Sequence, residues 1–159
     1  MRKNKFLIFY LSLLLILNSC GFQLRKPLEL DYQSYAIIGD SYGLSKLISK
    51  QLSFADIKEN KDGHAELIIE ILDNIFAKRI LSIAGNGQVG EFELIQTIEY
   101  RLKTNGQWSQ TRKLEAIREY TYDPSLYNAA RAEEDLLKDS MIEQLSRSLL
   151  TEINNLGKK

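Results

Sequence analysis

Two side chains that could carry covalent or acid–base chemistry each occur once in this sequence, Cys20 and His64. His64 lies two positions after Asp62, and such a pair could move a proton in general acid–base catalysis. In the remaining residues we identify no Gly-x-Ser-x-Gly nucleophile elbow, no zinc-binding motif and no phosphate-binding loop. His64 follows a turn and precedes a predicted strand, where a solvated histidine is the common occupant. The sequence therefore predicts no enzyme activity, no cofactor and no metal site.

Cys20 lies at the end of a segment that has the features of a secretory signal. Three basic residues among the first five precede a mostly apolar run at 6–17, and small or polar residues then lead to the cysteine. A membrane-spanning helix needs about 20 apolar residues, so this run is too short for that role. The ending Leu17-Asn18-Ser19-Cys20 resembles the lipobox of bacterial lipoproteins, whose cysteine is acylated and becomes the first mature residue. We predict a cleaved signal at 1–19; the alternative is an uncleaved anchor with an incidental thiol.

The chain that begins at Cys20 is long enough for one domain and requires no second one. Basic and acidic side chains number 21 each in the whole chain, and since the signal holds three of the basic ones, the remainder is slightly acidic. A general nucleic-acid binder would show a basic excess, so we expect no nucleic-acid partner. Residues 20–33 include Pro27 and show no helical period, which predicts a lipidated tether before a domain at 34–159.

The hydrophobic pattern predicts a strand, a helix, three strands and a second helix. A short strand at 34–39 precedes a helix whose apolar residues recur every three or four positions, namely Leu44, Leu47, Ile48 and Leu52. Three strands of period two follow, joined by a hairpin turn at Ala84-Gly85-Asn86-Gly87-Gln88, where Asn-Gly suits positive φ angles, and by a second turn at Asn105-Gly106. This order favours an α+β two-layer sandwich, with two helices on one face of a four-stranded, mostly antiparallel sheet.

The last helix has a predicted start and end. Asp123 is a good N-cap and Pro124 suits the first helical turn, so we expect a helix at about 126–156, with Gly157 as its C-cap. A helix of that length would be roughly 45 Å long. A bend or break near 132–134 is therefore expected.

The first strand of the meander is apolar on both sides. Its odd-numbered residues from Leu67 to Ile83 are mostly apolar, and we assign them to the face that the helices cover. The even-numbered residues, on the opposite face, include the apolar Phe76 and Ile80. A strand of this kind either has both faces covered or meets a partner. We therefore predict that Phe76 and Ile80, with the turn residues Asn86 and Gly87, form a partner interface. The alternative is a bulge that shifts the phase midway.

Several short motifs together resemble the LptE family of lipopolysaccharide (LPS) assembly lipoproteins. They are the start Cys20-Gly21-Phe22-Gln23-Leu24-Arg25, the stretches Asn86-Gly87-Gln88 and Gly90-Glu91-Phe92-Glu93-Leu94, and Arg118-Glu119-Tyr120-Thr121-Tyr122-Asp123-Pro124 followed by Ala130-x-x-Glu133-Glu134-Asp135-Leu136-Leu137. Their order and spacing agree along nearly the whole mature chain. The fold that the resemblance implies, two helices on a four-stranded sheet, agrees with the fold predicted from the hydrophobic pattern.

The resemblance implies a lipid-anchored plug that sits inside the LPS translocon barrel LptD, helps it to assemble and contacts LPS. Its location would be the outer membrane, facing the periplasm or within the barrel lumen. In enteric bacteria an aspartate after the acylated cysteine retains a lipoprotein in the inner membrane, and Gly21 does not give that signal. Other periplasmic lipoprotein adaptors, such as a cell-wall synthase activator or the auxiliary lipoprotein of a lipid transporter, share these features and remain the alternative.

In this family, LPS contact involves basic residues near a loop between strands and on the last helix. The turn at Asn86-Gly87 has no basic side chain, and the nearest cations are Lys78 and Arg79 on the preceding strand and Lys138 on the helix. Phosphate groups bind lysine and arginine well. We predict these three residues as LPS contacts; the alternative is that they are ordinary surface charges.

Overall fold

The computed structural model describes residues 30–39, 42–60 and 64–156. The predicted signal, Cys20 and Gly157 lie outside these ranges. Of the predicted tether, only residues 30–33 are described, and Leu30 and Tyr32 pack against the hydrophobic core. The backbone N–H of Gln33 also donates to the Glu66 carboxylate at 2.8 Å. The last residues before the first strand therefore pack on the domain.

The described chain forms a single mixed sheet with two α-helices. The strands are β1 (Ser34–Ile38), β2 (Lys58–Glu59), β3 (Leu67–Ile83), β4 (Val89–Thr104), β5 (Gln107–Trp108) and β6 (Arg112–Thr121), and the helices are α1 (Tyr42–Phe54) and α2 (Tyr127–Leu156). The sheet order is β2-β1-β3-β4-β5, with β6 also paired to β4. The predicted α+β class is confirmed. The strand count is six, two more than predicted, because β2 is added and the last predicted strand, expected at 108–122, divides into β5 and β6.

The strand pairing follows the predicted meander. β1 runs parallel to β3, so α1 lies in the connection between two parallel strands. β3, β4 and β6 are antiparallel neighbours. Between them, β3 and β4 provide long ladders that hold the side chains of the helix-covered face in fixed register.

The core lies between the sheet and the two helices. Twelve apolar residues of the two helices and the facing strands are almost completely buried: Leu44, Ile48, Leu52, Met141, Leu145, Leu149, Ile153, Ile69, Leu94, Ile98, Tyr100 and Leu102. Removal of this apolar surface from water is the main driving force that holds the helices on the sheet. Leu47, which the pattern places on the same face of α1, is only partly buried.

The helix α2 begins as predicted and then continues without a break. Asp123 caps a single 3₁₀ turn, Pro124–Leu126, by accepting a hydrogen bond from the Ser125 backbone N–H. The α-helix of 30 residues follows directly. Of the bend or break predicted near 132–134, the break is therefore wrong and the bend stays a prediction. Within the described ranges, neither helix combines the length and the apolar character that membrane crossing requires.

The two Asn-Gly turns differ from each other. At Asn105-Gly106 both residues have positive φ, 51° and 77°, as a two-residue hairpin turn requires. At the β3–β4 connection only Gly87 has positive φ, 81°. There the Asn86 side chain accepts a hydrogen bond from the Gln88 N–H at 3.0 Å and donates to the Gln88 side chain at 3.0 Å. This connection is the five-residue loop 84–88, stabilised by the asparagine side chain. The predicted hairpin turn is therefore confirmed, but the positive φ expected for its asparagine is not found.

The strand β3 contains a bulge at Leu72. Ile71 pairs with Tyr100 and Asp73 with Glu99, which leaves Leu72 without a partner in the ladder. Beyond it the even-numbered residues face the helices, since they pair with helix-facing residues of β4: Asn74 with Ile98, Phe76 with Gln96, Lys78 with Leu94 and Ile80 with Phe92. The predicted assignment of odd positions to the helix-covered face is therefore wrong from Asp73 to Ile80, after which the register shifts again. The alternative, a bulge that shifts the phase midway, is confirmed.

Candidate functional site

Strand alternation places the adjacent basic residues Lys78 and Arg79 on opposite faces of the sheet, and the bulge at Leu72 decides that Lys78 is the one that faces the helices. Lys78 points towards α2, where its Nζ lies 2.6 Å from the carboxylate of Glu134. Arg79 points to the other face and forms an ion pair with Glu93. Lys138 comes from the next turn of α2 and contacts the same carboxylate as Lys78. Of the three predicted LPS contacts, the fold therefore brings Lys78 and Lys138 together and separates Arg79 from them.

Glu134 lies between the two lysines and bonds both. Its Oε2 accepts from Lys78 Nζ at 2.6 Å and from the Tyr120 hydroxyl at 2.9 Å, while Oε1 lies 2.6 Å from Lys138 Nζ. Lys78 also donates to the Tyr120 oxygen at 2.8 Å. This arrangement needs three elements in register, because Lys78 lies on β3, Tyr120 on β6, and Glu134 and Lys138 on α2. We call these four residues the lysine cluster.

Aromatic rings provide one side of the lysine cluster. Lys78 Nζ lies 4.0 Å from the centroid of the Phe92 ring, and Lys138 Nζ lies 4.8 Å from that of Phe76. Phe92 in turn packs edge-on against Tyr122 at 5.2 Å between centroids. Cations are attracted to the faces of aromatic rings at these distances. The rings therefore hold both ammonium groups near Glu134 and limit their hydration.

The lysine cluster shifts the pKa values of its members. Burial raises the pKa of the Glu134 carboxyl, but the hydrogen bonds from Lys138, Lys78 and Tyr120 outweigh it and lower this pKa to about 2. Burial lowers the pKa of Lys78, yet its bonds to Glu134 and Tyr120 leave that pKa above the ordinary value. Burial also raises the pKa of Tyr120. At neutral pH Glu134 is consequently a carboxylate, Lys78 an ammonium group and Tyr120 a neutral phenol.

The stability of the protein should depend on the ionisation of Glu134. Since the pKa of this carboxyl is lower in the folded protein than in the unfolded chain, its contribution is complete above the ordinary value of 4.5 and is lost as the pH falls towards about 2. We expect the free energy of unfolding to decrease over that range, and to decrease less in Glu134→Gln. Urea unfolding of both proteins at several pH values between 2 and 6 measures this. Equal pH dependence in the two proteins would contradict it.

A cleft of about 240 Å³ lies beside the lysine cluster, between the start of α2 and the strands. It is lined by the cluster and by the neighbouring residues Tyr122, Tyr127, Ala130, Arg131 and Asp135. The wall carries three cationic and two acidic side chains, which leaves a net charge of one positive: Lys78, Arg131 and Lys138 against Glu134 and Asp135. The aromatic rings offer apolar contact, and the ammonium and guanidinium groups suit phosphate oxygens. The cleft can therefore hold a phosphorylated headgroup.

The other predicted interface residues lie on the helix side of β3 and in the β3–β4 loop. Phe76 and Ile80, which the sequence places on the face away from the helices, lie on the helix side because of the bulge at Leu72. Both remain at least a third exposed, at 37% and 53%. Asn86 and Gly87 lie in the exposed β3–β4 loop. Their role in partner binding stays a prediction.

The β1–α1 turn carries a Gly-x-Ser-x-Gly pattern at 39–43 that the interpretation from sequence missed. Such a pattern between a strand and a helix is the setting of a hydrolase nucleophile. Gly39 has a different explanation here, since a Cβ at this position would lie 2.1 Å from the carbonyl oxygen of Ile71. His64 is exposed. In the part of the chain that the structure describes, no group of histidine, cysteine and acidic residues is arranged to hold a metal ion.

Comparison with known proteins gives one family and several similar structures. Residues 32–153 match the family described as LptE, lipopolysaccharide-assembly. The chain is 24% identical to the LPS-assembly lipoprotein LptE of Pectobacterium atrosepticum, over 96% of this chain and 86% of that protein. Its fold resembles that of a lipoprotein B from Nitrosomonas europaea, with a TM-score of 0.71 and 29% identity over 86% and 92% of the two chains. The fold also resembles that of the rare lipoprotein B of Shewanella oneidensis, with a TM-score of 0.70 and 24% identity over 77% of this chain and 95% of that chain.

Proposed function

Because the chain belongs to the LptE family of lipopolysaccharide-assembly proteins, we propose that it is an outer-membrane lipoprotein that plugs the LptD barrel, helps it to assemble and contacts LPS during delivery to the outer leaflet. The mature protein begins at Cys20, whose acyl chains hold it on the membrane. More than one chain is needed for stable anchoring. The domain then faces the periplasm or enters the barrel lumen, and its role is non-enzymatic.

The observation that best supports LPS contact is the meeting of Lys78 and Lys138 in one cleft. Two ammonium groups from different elements lie on the same carboxylate, with Arg131 on the same wall. A phosphate of lipid A could replace Glu134 as their partner, since phosphate accepts charge-assisted bonds from several donors at once. The tyrosine and phenylalanine rings beside the lysines would pack against the sugar ring or the first part of the acyl chains. Arg79 is separated from this site by the sheet.

The proposal predicts that the acylated protein leaves native membranes in a complex with a large barrel protein. Extraction in a mild detergent, capture of the chain through a C-terminal tag and mass spectrometry of the bound proteins would identify the barrel in near-equal amount. Cys20→Ser removes the site of acylation and should greatly reduce recovery from the membrane fraction. A captured chain without a barrel would favour the adaptor alternative, and membrane retention of Cys20→Ser would contradict the acyl anchor.

A further inference from the structure

The sheet face opposite the helices has an apolar centre and an acidic rim. Across β3, β4 and β6 the ladder aligns Ala77, Ile95 and Ile117 in one row. Ile75 lies one row away, and Ile75 and Ile117 are 53% and 44% exposed. We call this surface the open face. It consists of the residues of β3 between Asp73 and Ser82 that point away from the helices, together with their ladder partners on β4 and β6. Four apolar side chains next to one another on an exposed sheet form a small contact patch.

The charged residues around this patch are mainly acidic. The rows on either side carry the carboxylates of Asp73, Glu91, Glu93, Glu99, Glu115 and Glu119, against the cations Arg79 and Lys113. Glu93 is buried beside Arg79, and Lys113 lies 3.4 Å from Glu115. The remaining carboxylates give the face a negative potential. A phosphorylated lipid headgroup would be repelled here, whereas a surface with lysine or arginine around an apolar centre would be attracted.

The edge of β3 beside the open face lacks a neighbouring strand in the described chain. β1 pairs with β3 only as far as Glu70, so beyond the bulge one edge of β3 presents its backbone N–H and C=O groups outward. Such an edge binds other polypeptides through backbone hydrogen bonds. Acyl chains offer no donors or acceptors to these groups. The edge therefore favours a protein over a lipid as the cover of this side.

We propose that the open face and the adjoining edge of β3 are the surface that docks on the barrel, which meets it with apolar side chains surrounded by basic ones. The inference rests on the proposed function and divides the domain into two sides. The cleft with Lys78 and Lys138 faces the anionic lipid, and the acidic sheet face contacts protein. The two faces of one sheet thus separate two partners of different charge.

The test compares matched substitutions on the two sides of the acylated, full-length protein expressed with its barrel. Ile117→Lys and Glu119→Lys change the open face, and Leu136→Lys and Glu133→Lys make the same chemical changes at exposed positions of α2. Barrel recovered per lipoprotein after mild extraction should fall at least tenfold for the first pair and stay within twofold for the second. Binding of purified LPS and the melting temperature should stay within error for the first pair.

Each other outcome contradicts the inference in a different way. Normal barrel capture by Ile117→Lys and Glu119→Lys, with the wild type also binding, would overturn the docking surface and leave the proposed function intact. Loss of LPS binding in these variants with barrel capture retained would assign the face to lipid. Failure of the wild type to capture a barrel would overturn the proposed function and the inference with it.

Discussion

Gly39→Ala should destabilise the protein more than alanine at any other described glycine, by about 3 kcal/mol. The φ of Gly39 is +103°, outside the region that L-residues occupy. The added Cβ would also meet the Ile71 carbonyl oxygen at 2.1 Å. Ile71 precedes the bulge, so the methyl group would push β1 away from β3 where the phase of the strand changes. We expect the melting temperature to fall by about 10 °C.

Two other glycines separate the backbone effect from the steric one. Gly106 has φ of +77° but open space at its Cβ position, so Gly106→Ala should cost only about 1 kcal/mol. Gly85 has neither constraint, and Gly85→Ala should be close to neutral. Thermal unfolding of the three variants by circular dichroism gives the order. A cost for Gly39→Ala no greater than that for Gly106→Ala would show that the strands adjust without strain.

The same position decides how the Gly-x-Ser-x-Gly pattern should be interpreted. Since the positive φ and the close Ile71 carbonyl oxygen already explain Gly39, this glycine gives no support for a catalytic role of Ser41, and we expect none. Ser41→Ala should keep its membrane recovery and barrel capture. Its partner in a hydrolase would have to be His64, since this is the single histidine of the chain. Ester hydrolysis by the purified protein that is lost in both Ser41→Ala and His64→Ala would contradict this interpretation.

The fold class follows from the sequence because its elements have strong local signals. The stripe Leu44, Ile48 and Leu52, the Asn105-Gly106 turn and the Asp123-Pro124 helix start each depend on neighbours in the chain. Such signals survive without knowledge of tertiary contacts. The break expected in α2 does not occur because a continuous apolar stripe on the sheet favours an unbroken helix.

The site was harder to predict because its geometry depends on one unpaired residue. A bulge at Leu72 reverses the side chains of β3 from Asp73 to Ile80, which exchanges the faces of Phe76, Lys78 and Arg79. A local signal exists in the adjacent Asp73 and Asn74, which interrupt an apolar strand with residues that favour irregular backbone. Here the Asp73 carboxylate accepts from the Asn74 N–H at 2.8 Å. Lys78 and Glu134 are 56 positions apart in the sequence. Hydrophobic periodicity does not predict which distant residues come into contact.

Glu134→Gln should increase the affinity of the purified protein for LPS, by about tenfold or roughly 1.4 kcal/mol. In the free protein the carboxylate of Glu134 occupies both ammonium groups, so a phosphate must compete with it. The amide keeps the size of the side chain and removes the competing charge. The Lys78→Gln, Lys138→Gln double variant should bind LPS at least tenfold more weakly than the wild type. Arg79→Gln should change binding less than twofold, because Arg79 lies on the other face of the sheet.

The LPS affinity of all four proteins can be measured in one detergent buffer. In this titration LPS displaces a fluorescently labelled lipid A from the protein. Raising the salt concentration from 50 to 300 mM should weaken Glu134→Gln more than the wild type, since its site carries one more net positive charge. The melting temperature of Glu134→Gln at pH 7 should fall, which separates a local change in binding from a general gain in stability. Weaker LPS binding by Glu134→Gln would mean that the carboxylate orients the two lysines for the phosphate. In that case Glu134 would be a positioning residue of the site and its role as internal competitor would be wrong.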